Sequence, residues 1–224
     1  MTVHSSKVFA AGSRAVSDVA GSKGVYAAGL KRGLDLLIVL AALPFILPFF
    51  LIVMVLTAAD GHSPFFRQER VGLNGQRFFM WKFRTMVPNA EQHLKSHLAA
   101  NPEARAEWQE MQKLTNDPRI TKIGRILRRT SVDELPQLIN VLTGDMSLVG
   151  PRPMMPCQQA LYSGHAYYRL RPGLTGSWQV SQRHTSTFAD RAHYDDSYEA
   201  ELTFANDVKI LAKTVGVVFR CTGV

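Results

Sequence analysis

The longest hydrophobic feature is an uncharged run from Leu36 to Ala59. As one helix it would be roughly 36 Å long at ~1.5 Å per residue, enough to cross a bilayer. It starts too late and runs too long for a cleaved signal peptide. Pro44 and Pro48 sit mid-run; each removes a donor and crowds the preceding turn, which predicts a bend. Three shorter segments carry helical periodicity. Ile120, Ile123, Ile126 and Leu127 lie opposite Arg119, Lys122, Arg125, Arg128 and Arg129, a basic amphipathic helix. Leu135, Leu138, Ile139 and Leu142 predict a helix with one buried face, starting at Ser131 or Asp133 and stopped by Thr143-Gly144. Val208, Leu211, Val215, Val218 and Phe219 alternate with Lys209, Lys213 and Arg220, a third amphipathic helix suited to the core or to a membrane surface.

Between 62 and 86 the pattern changes. Phe65-Phe66 and Phe78-Phe79 flank Gly72-Leu73-Asn74-Gly75, and Asn-Gly between hydrophobic runs predicts a β-hairpin. Trp81 and Phe83 alternate with Lys82 and Arg84, a pattern suited to the headgroup layer of a membrane and also to nucleic-acid bases. Residues 89–114 are polar and helix-forming, interrupted near Asn101-Pro102, and read as a surface helical pair. The fold class expected is α+β, mostly helical, with a small β-hairpin or sheet. The organisation expected is a flexible basic tail over 1–30, a membrane helix over 31–59, and a compact catalytic domain over 60–224 with 89–116 as an insertion.

Charge alters the reading of the membrane helix. The net charge is +8, which suits an anionic partner: nucleic acid, lipid surface or phosphorylated substrate. Lys7, Arg14, Lys23, Lys31 and Arg32 precede the run, and Arg67, Arg70, Arg77, Lys82 and Arg84 follow it. Positive flanks mark the cytoplasmic side, so a straight span would send one basic flank across. A re-entrant helix that bends at the prolines keeps both flanks on one face. The two cysteines, Cys157 and Cys221, make neither a disulfide framework nor a metal cluster.

The candidate chemistry centres on Asp133–Glu134. Ser131 to Glu134 matches a capping box, so the pair has a purely structural explanation, which Pro136 complicates. In either form Asp133 falls in a first helical turn, where N–H groups and the dipole favour a carboxylate and can receive phosphate. An ionised Asp is a competent nucleophile toward phosphorus, and a neighbouring Glu suits Mg²⁺. Arg128 and Arg129 precede the pair. Arg152, held between Pro151 and Pro153, is stiffened as a phosphate fork, or is an incidental Arg in a proline-rich turn. Arg171-Pro172-Gly173 makes a second such turn.

These residues carry a resemblance. Lys31-Arg32-x-x-Asp35, Lys82-Phe83-Arg84-Thr85-Met86, Asp117-Pro118-Arg119-Ile120-Thr121, Ser131-x-Asp133-Glu134-Leu135-Pro136-Gln137, Gly144-Asp145-Met146-Ser147-x-Val149-Gly150-Pro151-Arg152-Pro153 and Arg171-Pro172-Gly173-x-Thr175-Gly176 run in order along the chain. Together they resemble the bacterial sugar transferases, small monotopic phosphoglycosyl transferases, and most of all the exopolysaccharide enzymes that transfer galactose 1-phosphate. The resemblance implies attack by Asp133 on the β-phosphorus of a UDP-sugar with Mg²⁺ at Asp133 and Glu134, release of UMP, and transfer of a hexose 1-phosphate (galactose or glucose) to undecaprenyl phosphate. It implies Arg128, Arg152, Arg171, Arg183, Lys82 and Arg84 as substrate-binding residues, and a re-entrant helix on the cytoplasmic face of the bacterial inner membrane. A homodimer is compatible with it. Where the family continues through Gly-Arg-Asn, this chain has Gln182-Arg183-His184, so Arg183 alone carries over. The competing expectations are a non-enzymatic membrane scaffold of a polysaccharide complex, with Asp133–Glu134 only capping a helix, and a basic nucleic-acid binder, which the membrane run disfavours.

Overall fold

A computed structural model describes residues 24–111, 114–181 and 188–219. Most of the basic tail, Arg183, Arg220 and Cys221 lie outside the described residues. The fold is α+β and mostly helical. Helix α1 (Lys31–Ala58), entered through a π-turn at Tyr26–Leu30, is followed by β1 (Phe65–Val71) and β2 (Arg77–Phe83). Next come α2 (Ala90–Ala100), α3 (Pro102–Met111), α4 (Lys122–Arg129) and α5 (Gln137–Thr143). The chain continues through β3 (Ser147–Val149), α6 (Ala166–Arg169), β4 (Gly173–Thr175), α7 (Arg191–Ala200) and α8 (Phe204–Phe219). The chain forms two compact, interleaved units. One gathers the described residues up to Leu43, Glu69–Phe78 and Leu138–Gly216; the other gathers Pro44–Gln68, Phe79–Gln137 and the described residues after Gly216.

Helix α1 is long and apolar enough to cross a membrane. Its side chains are largely bare: Phe45 is 83% exposed, and Leu37, Leu40, Ile52 and Val55 are also exposed. Pro44 and Pro48 lie inside it without interrupting it, so any bend there is a kink in a continuous helix.

In the first unit, the Lys31-Arg32-x-x-Asp35 motif fixes the start of α1. Arg32 donates to the carbonyls of Val141 and Leu142 at the end of α5, where a cation meets the negative end of a helix. Asp35 accepts from Ser147 Oγ at 2.7 Å and Leu148 N at 3.1 Å. Asp207, 1% exposed, accepts from Tyr26, Lys31 and Tyr198. Strands β3 and β4 pair in parallel with Ser147 opposite Gly173 and Val149 opposite Thr175. Gly150 and Gly173 meet backbone to backbone there: a Cβ on Gly150 would lie 2.3 Å from Arg171 O, and one on Gly173 2.1 Å from Gly150 N. The core packs Val71, Met154, Tyr162, Tyr167 and Ala192.

The second unit packs Val53, Phe83 and Leu127 against Phe50, Phe65, Val132 and Leu135. Phe83, expected at a headgroup layer, is instead a core ring 1% exposed, because strand alternation turns it opposite to Lys82. The hairpin turns where expected, with Asn74 left-handed at φ 55°. The 89–116 segment is a helical pair broken at Asn101, whose side chain caps α3 by accepting from Ala104 N at 3.1 Å.

Two helical faces differ from their sequence pattern. In α4, Gly124 and Leu127 are buried while Ile123 and Ile126 are 37% and 64% exposed. Gly124 is the reason: a Cβ there would fall 2.0 Å from Thr85 O, so the helix rests on that backbone and rotates its inner face away from the isoleucines. In α5, Val141 is 0% exposed and Ile139 is 39% exposed. The helix begins at Gln137, after Pro136, so Leu135 lies outside it, and its inner face is made by Gln137, Leu138, Asn140 and Val141.

Candidate active site

Asp133 is placed by a tight turn between α4 and α5. Ser131 is left-handed at φ 58° and its side chain caps nothing, so the capping box does not form. Val132–Glu134 is a single 3₁₀ turn, with Glu134 N bonded to Ser131 O at 3.2 Å and Leu135 N to Val132 O at 3.1 Å. Val132 and Leu135 pack into the core and hold Asp133 and Glu134 between them. The expectation that an α-helix N-terminus stabilises Asp133 is therefore corrected: α5 begins three residues after Glu134, and side chains supply the positive charge instead.

That charge comes first from Lys82 on β2. Its Nζ donates to Glu134 Oε1 at 2.8 Å and to Asp133 Oδ2 at 3.4 Å. Arg128, half-buried, donates from Nε to Thr85 Oγ1 at 2.9 Å and adds positive potential at Asp133. Asp133 is 7% exposed. Burial pushes its carboxyl above the usual range, Lys82 pulls it back, Glu134 pushes it up again, and Arg128 lowers it. The Arg128 guanidinium is itself lowered by burial, against the support of Asp133 and Asp117. Burial would raise Asp117, but Arg119 grips it at 2.6 to 3.1 Å and holds it below the usual range. Among the described residues, Asp133 accepts from Lys82 alone. Its other oxygen is a lone-pair donor next to two cations, an arrangement fit to attack an electrophile carrying negative charge.

Of the other expected site residues, Arg84 is spent elsewhere. It donates to Thr57 O at 2.8 Å, Ser63 O at 2.7 Å and both oxygens of Asp60. It ties the end of α1 to the end of β2. Arg152 and Arg171 belong to the first unit, and Asp133 belongs to the second. Arg171 donates to Gly144 O at 3.0 Å. Arg152 follows β3 and shares its surroundings with Arg191, whose guanidinium lies 4.2 Å from the Trp178 ring centre and 4.5 Å from that of Phe188. Arg183 lies outside the described residues. Sequence reasoning missed Thr85 and Asp117; both stood in its motifs, but Thr85 meets Arg128 across 43 residues and Asp117 acts on Arg128 through space, and neither link leaves a periodic trace.

A family model described as bacterial sugar transferase matches residues 26–221. The UDP-galactose-lipid carrier transferase of Erwinia amylovora is 45% identical over 196 residues, covering 87% of this chain and 41% of that protein. The exopolysaccharide production protein ExoY of Sinorhizobium fredii is 44% identical, covering 86% of this chain and 87% of its own. The undecaprenyl-phosphate galactose phosphotransferase of Salmonella typhimurium is 44% identical over 87% of this chain and 41% of its own. The chain thus spans about two fifths of the first and third of these relatives and most of the second.

Proposed function

The chain belongs to the bacterial sugar transferase family, and on that premise we propose that it moves a hexose 1-phosphate from a UDP-sugar to undecaprenyl phosphate, through a covalent intermediate on Asp133. Galactose is the sugar named for two of the relatives above, and it is the first choice here, with glucose second. The observation that carries the reading is Asp133 itself, buried, singly hydrogen-bonded, and flanked by Lys82 and Arg128.

The reaction balances in two displacements. An Asp133 oxygen bonds to the β-phosphorus, and the bond from that phosphorus to the bridging oxygen breaks, so UMP leaves. A phosphate oxygen of undecaprenyl phosphate then bonds to the same phosphorus and the Asp133–phosphorus bond breaks. This restores the carboxylate and releases an undecaprenyl diphosphate sugar. Lys82 keeps Asp133 ionised before attack and offsets phosphate charge during it. Glu134 holds Lys82 at 2.8 Å, which orients the ammonium between the two carboxylates. Arg128, steadied by Thr85, presents its remaining donors to phosphate oxygens.

The pair also fits a magnesium ion, since two adjacent carboxylates already converge on one cationic nitrogen and Mg²⁺ takes one or two carboxylates with substrate phosphates. Bound there, it would neutralise diphosphate charge. The exposed α1 and its basic flanks support a re-entrant seat on the cytoplasmic face of the inner membrane, which brings the lipid phosphate within reach.

The test is covalent labelling of the purified chain by a UDP-galactose carrying a radioactive β-phosphate, with Mg²⁺ present. Labelling of the unmodified chain and none in Asp133→Asn is the expected result. Equal labelling of both would remove Asp133 as nucleophile.

A further inference from the structure

The first unit contains a cleft of about 320 Å³ lined by α7, α8 and the turn at Ser177–Ser181. That volume falls in the range of small-molecule sites. Lys209, Lys213 and Asn206 line it from α8, Ser181 from the turn, and His193 and Glu201 from α7 and its end. Neither Asp133 nor any residue bonded to it takes part.

Lys209 and Lys213 lie one helical turn apart and so share a face. Among the described residues, neither forms an ion pair with a carboxylate, and Glu201 is the one acidic group on the cleft wall. Asp207, two residues before Lys209, is turned inward and taken by Tyr26, Lys31 and Tyr198. Two like charges at this spacing repel each other, and among the described residues no carboxylate pairs with either of them.

The faces of α8 indicate what kind of anion would fit. Phe204, Val208 and Val215 are exposed and fall within ~40° of one another at ~100° per residue. On the same count, Lys209 and Lys213 lie ~140–180° round from Phe204. The apolar stripe is the side of α8 suited to lipid, and the cleft opens away from it, so its ligand comes from water. Lysine ammonium groups, an amide and a serine hydroxyl make a donor set for phosphate oxygens. The His193 and Tyr194 rings, 6.2 Å apart between centres, and the acceptor Glu201 suit a flat base and a sugar hydroxyl.

We propose that this cleft is a binding site for a soluble phosphate ester, with Lys209 and Lys213 holding the phosphate. The inference is independent of the transfer reaction proposed above, because failure of Asp133 labelling would leave the cleft and its lysines untouched.

Amide hydrogen exchange of the full chain in detergent, without magnesium, tests the site. The probes are UMP and, in a separate arm, inorganic phosphate. UMP is expected to slow exchange in peptides covering 193–213, and the Lys209→Gln/Lys213→Gln variant to need at least ten times more UMP for the same protection. Lys209→Arg/Lys213→Arg is expected to restore it. Both lysines are exposed, so exchange without ligand should match across the variants and show that they remain folded. Equal protection by inorganic phosphate supports a site for the phosphate group alone; protection by UMP only supports a nucleotide site. Absence of protection by either probe, or protection undiminished by the glutamine pair, overturns the proposal.

Discussion

Two buried aspartates, each paired with a lysine, behave oppositely in this molecule. Asp207 is closed: two tyrosine hydroxyls and Lys31 fill its oxygens. Asp133 is open: Lys82 reaches one oxygen at 3.4 Å and sits closer to Glu134. A carboxylate with both oxygens committed serves as a structural knot, because removing it strands several donors at once. A carboxylate that is buried yet under-bonded keeps lone pairs for reaction, and nearby cations oppose the upward pull of its burial. The difference lies in how many donors converge, not in burial or in the presence of a lysine.

The largest effect that would break this contrast is catalytic. Asp133→Asn should cut transfer, followed by UMP release, by more than ~10³-fold while the melting temperature stays within about 3 °C. A large loss of stability would make Asp133 a second knot. Next, Asp207→Ala should cost about 3–5 kcal/mol by leaving the buried Tyr26 and Tyr198 hydroxyls and the half-buried Lys31 without their acceptor, seen as a melting temperature lower by roughly 10 °C, with labelling per folded molecule retained. Third, Lys82→Met should slow transfer ~10- to 100-fold. Because Lys82 pulls the raised Asp133 carboxyl downward, its loss should also move the acidic limb of the pH–rate profile to higher pH. An unmoved limb would mean that Lys82 does not control the ionisation of Asp133.

The smallest effect concerns a third buried carboxylate, Asp195. Burial pushes it up to about 7, with Tyr162 donating to it at 2.9 Å and Arg191 lowering it. A folded pKa above the unfolded 3.8 means that the protonated form favours the fold. Its contribution is full below about pH 4 and is lost as pH rises through about 7. Asp195→Asn should therefore flatten the decline in melting temperature between pH 5 and pH 8. An unchanged slope would place that decline on other groups.

Much of this was legible in the residues. The apolar run, the hairpin turn at Asn74, the helical pair broken at Asn101 and the stop at Gly144 were all signalled by local chemistry that acts over a few positions. So was the choice of Asp133–Glu134 as the candidate pair, though not the way the fold holds it. The sequence pointed to a capping box and a helix dipole; the structure has a left-handed Ser131, a 3₁₀ turn and a lysine from β2. Lys82 and Arg128 reach the pair across the fold, and no spacing rule encodes such a meeting. Arg84 shows the converse: its motif suggested substrate, and its three carbonyl and carboxylate partners near the end of α1 could be found only in three dimensions. The rotated faces of α4 and α5 failed for a similar reason, since one backbone contact at Gly124 and a helix start at Gln137 outweighed the apolar count.

The backbone contact between Gly150 and Gly173 has a practical consequence for anyone mapping this protein by saturation mutagenesis. Both positions will score as intolerant as Asp133, because even alanine cannot enter, and a screen for product alone will group all three as one functional set. Measuring cellular abundance alongside product would divide them: variants at the glycines should vanish from the soluble and membrane fractions, whereas Asp133 variants should accumulate as intact, silent protein.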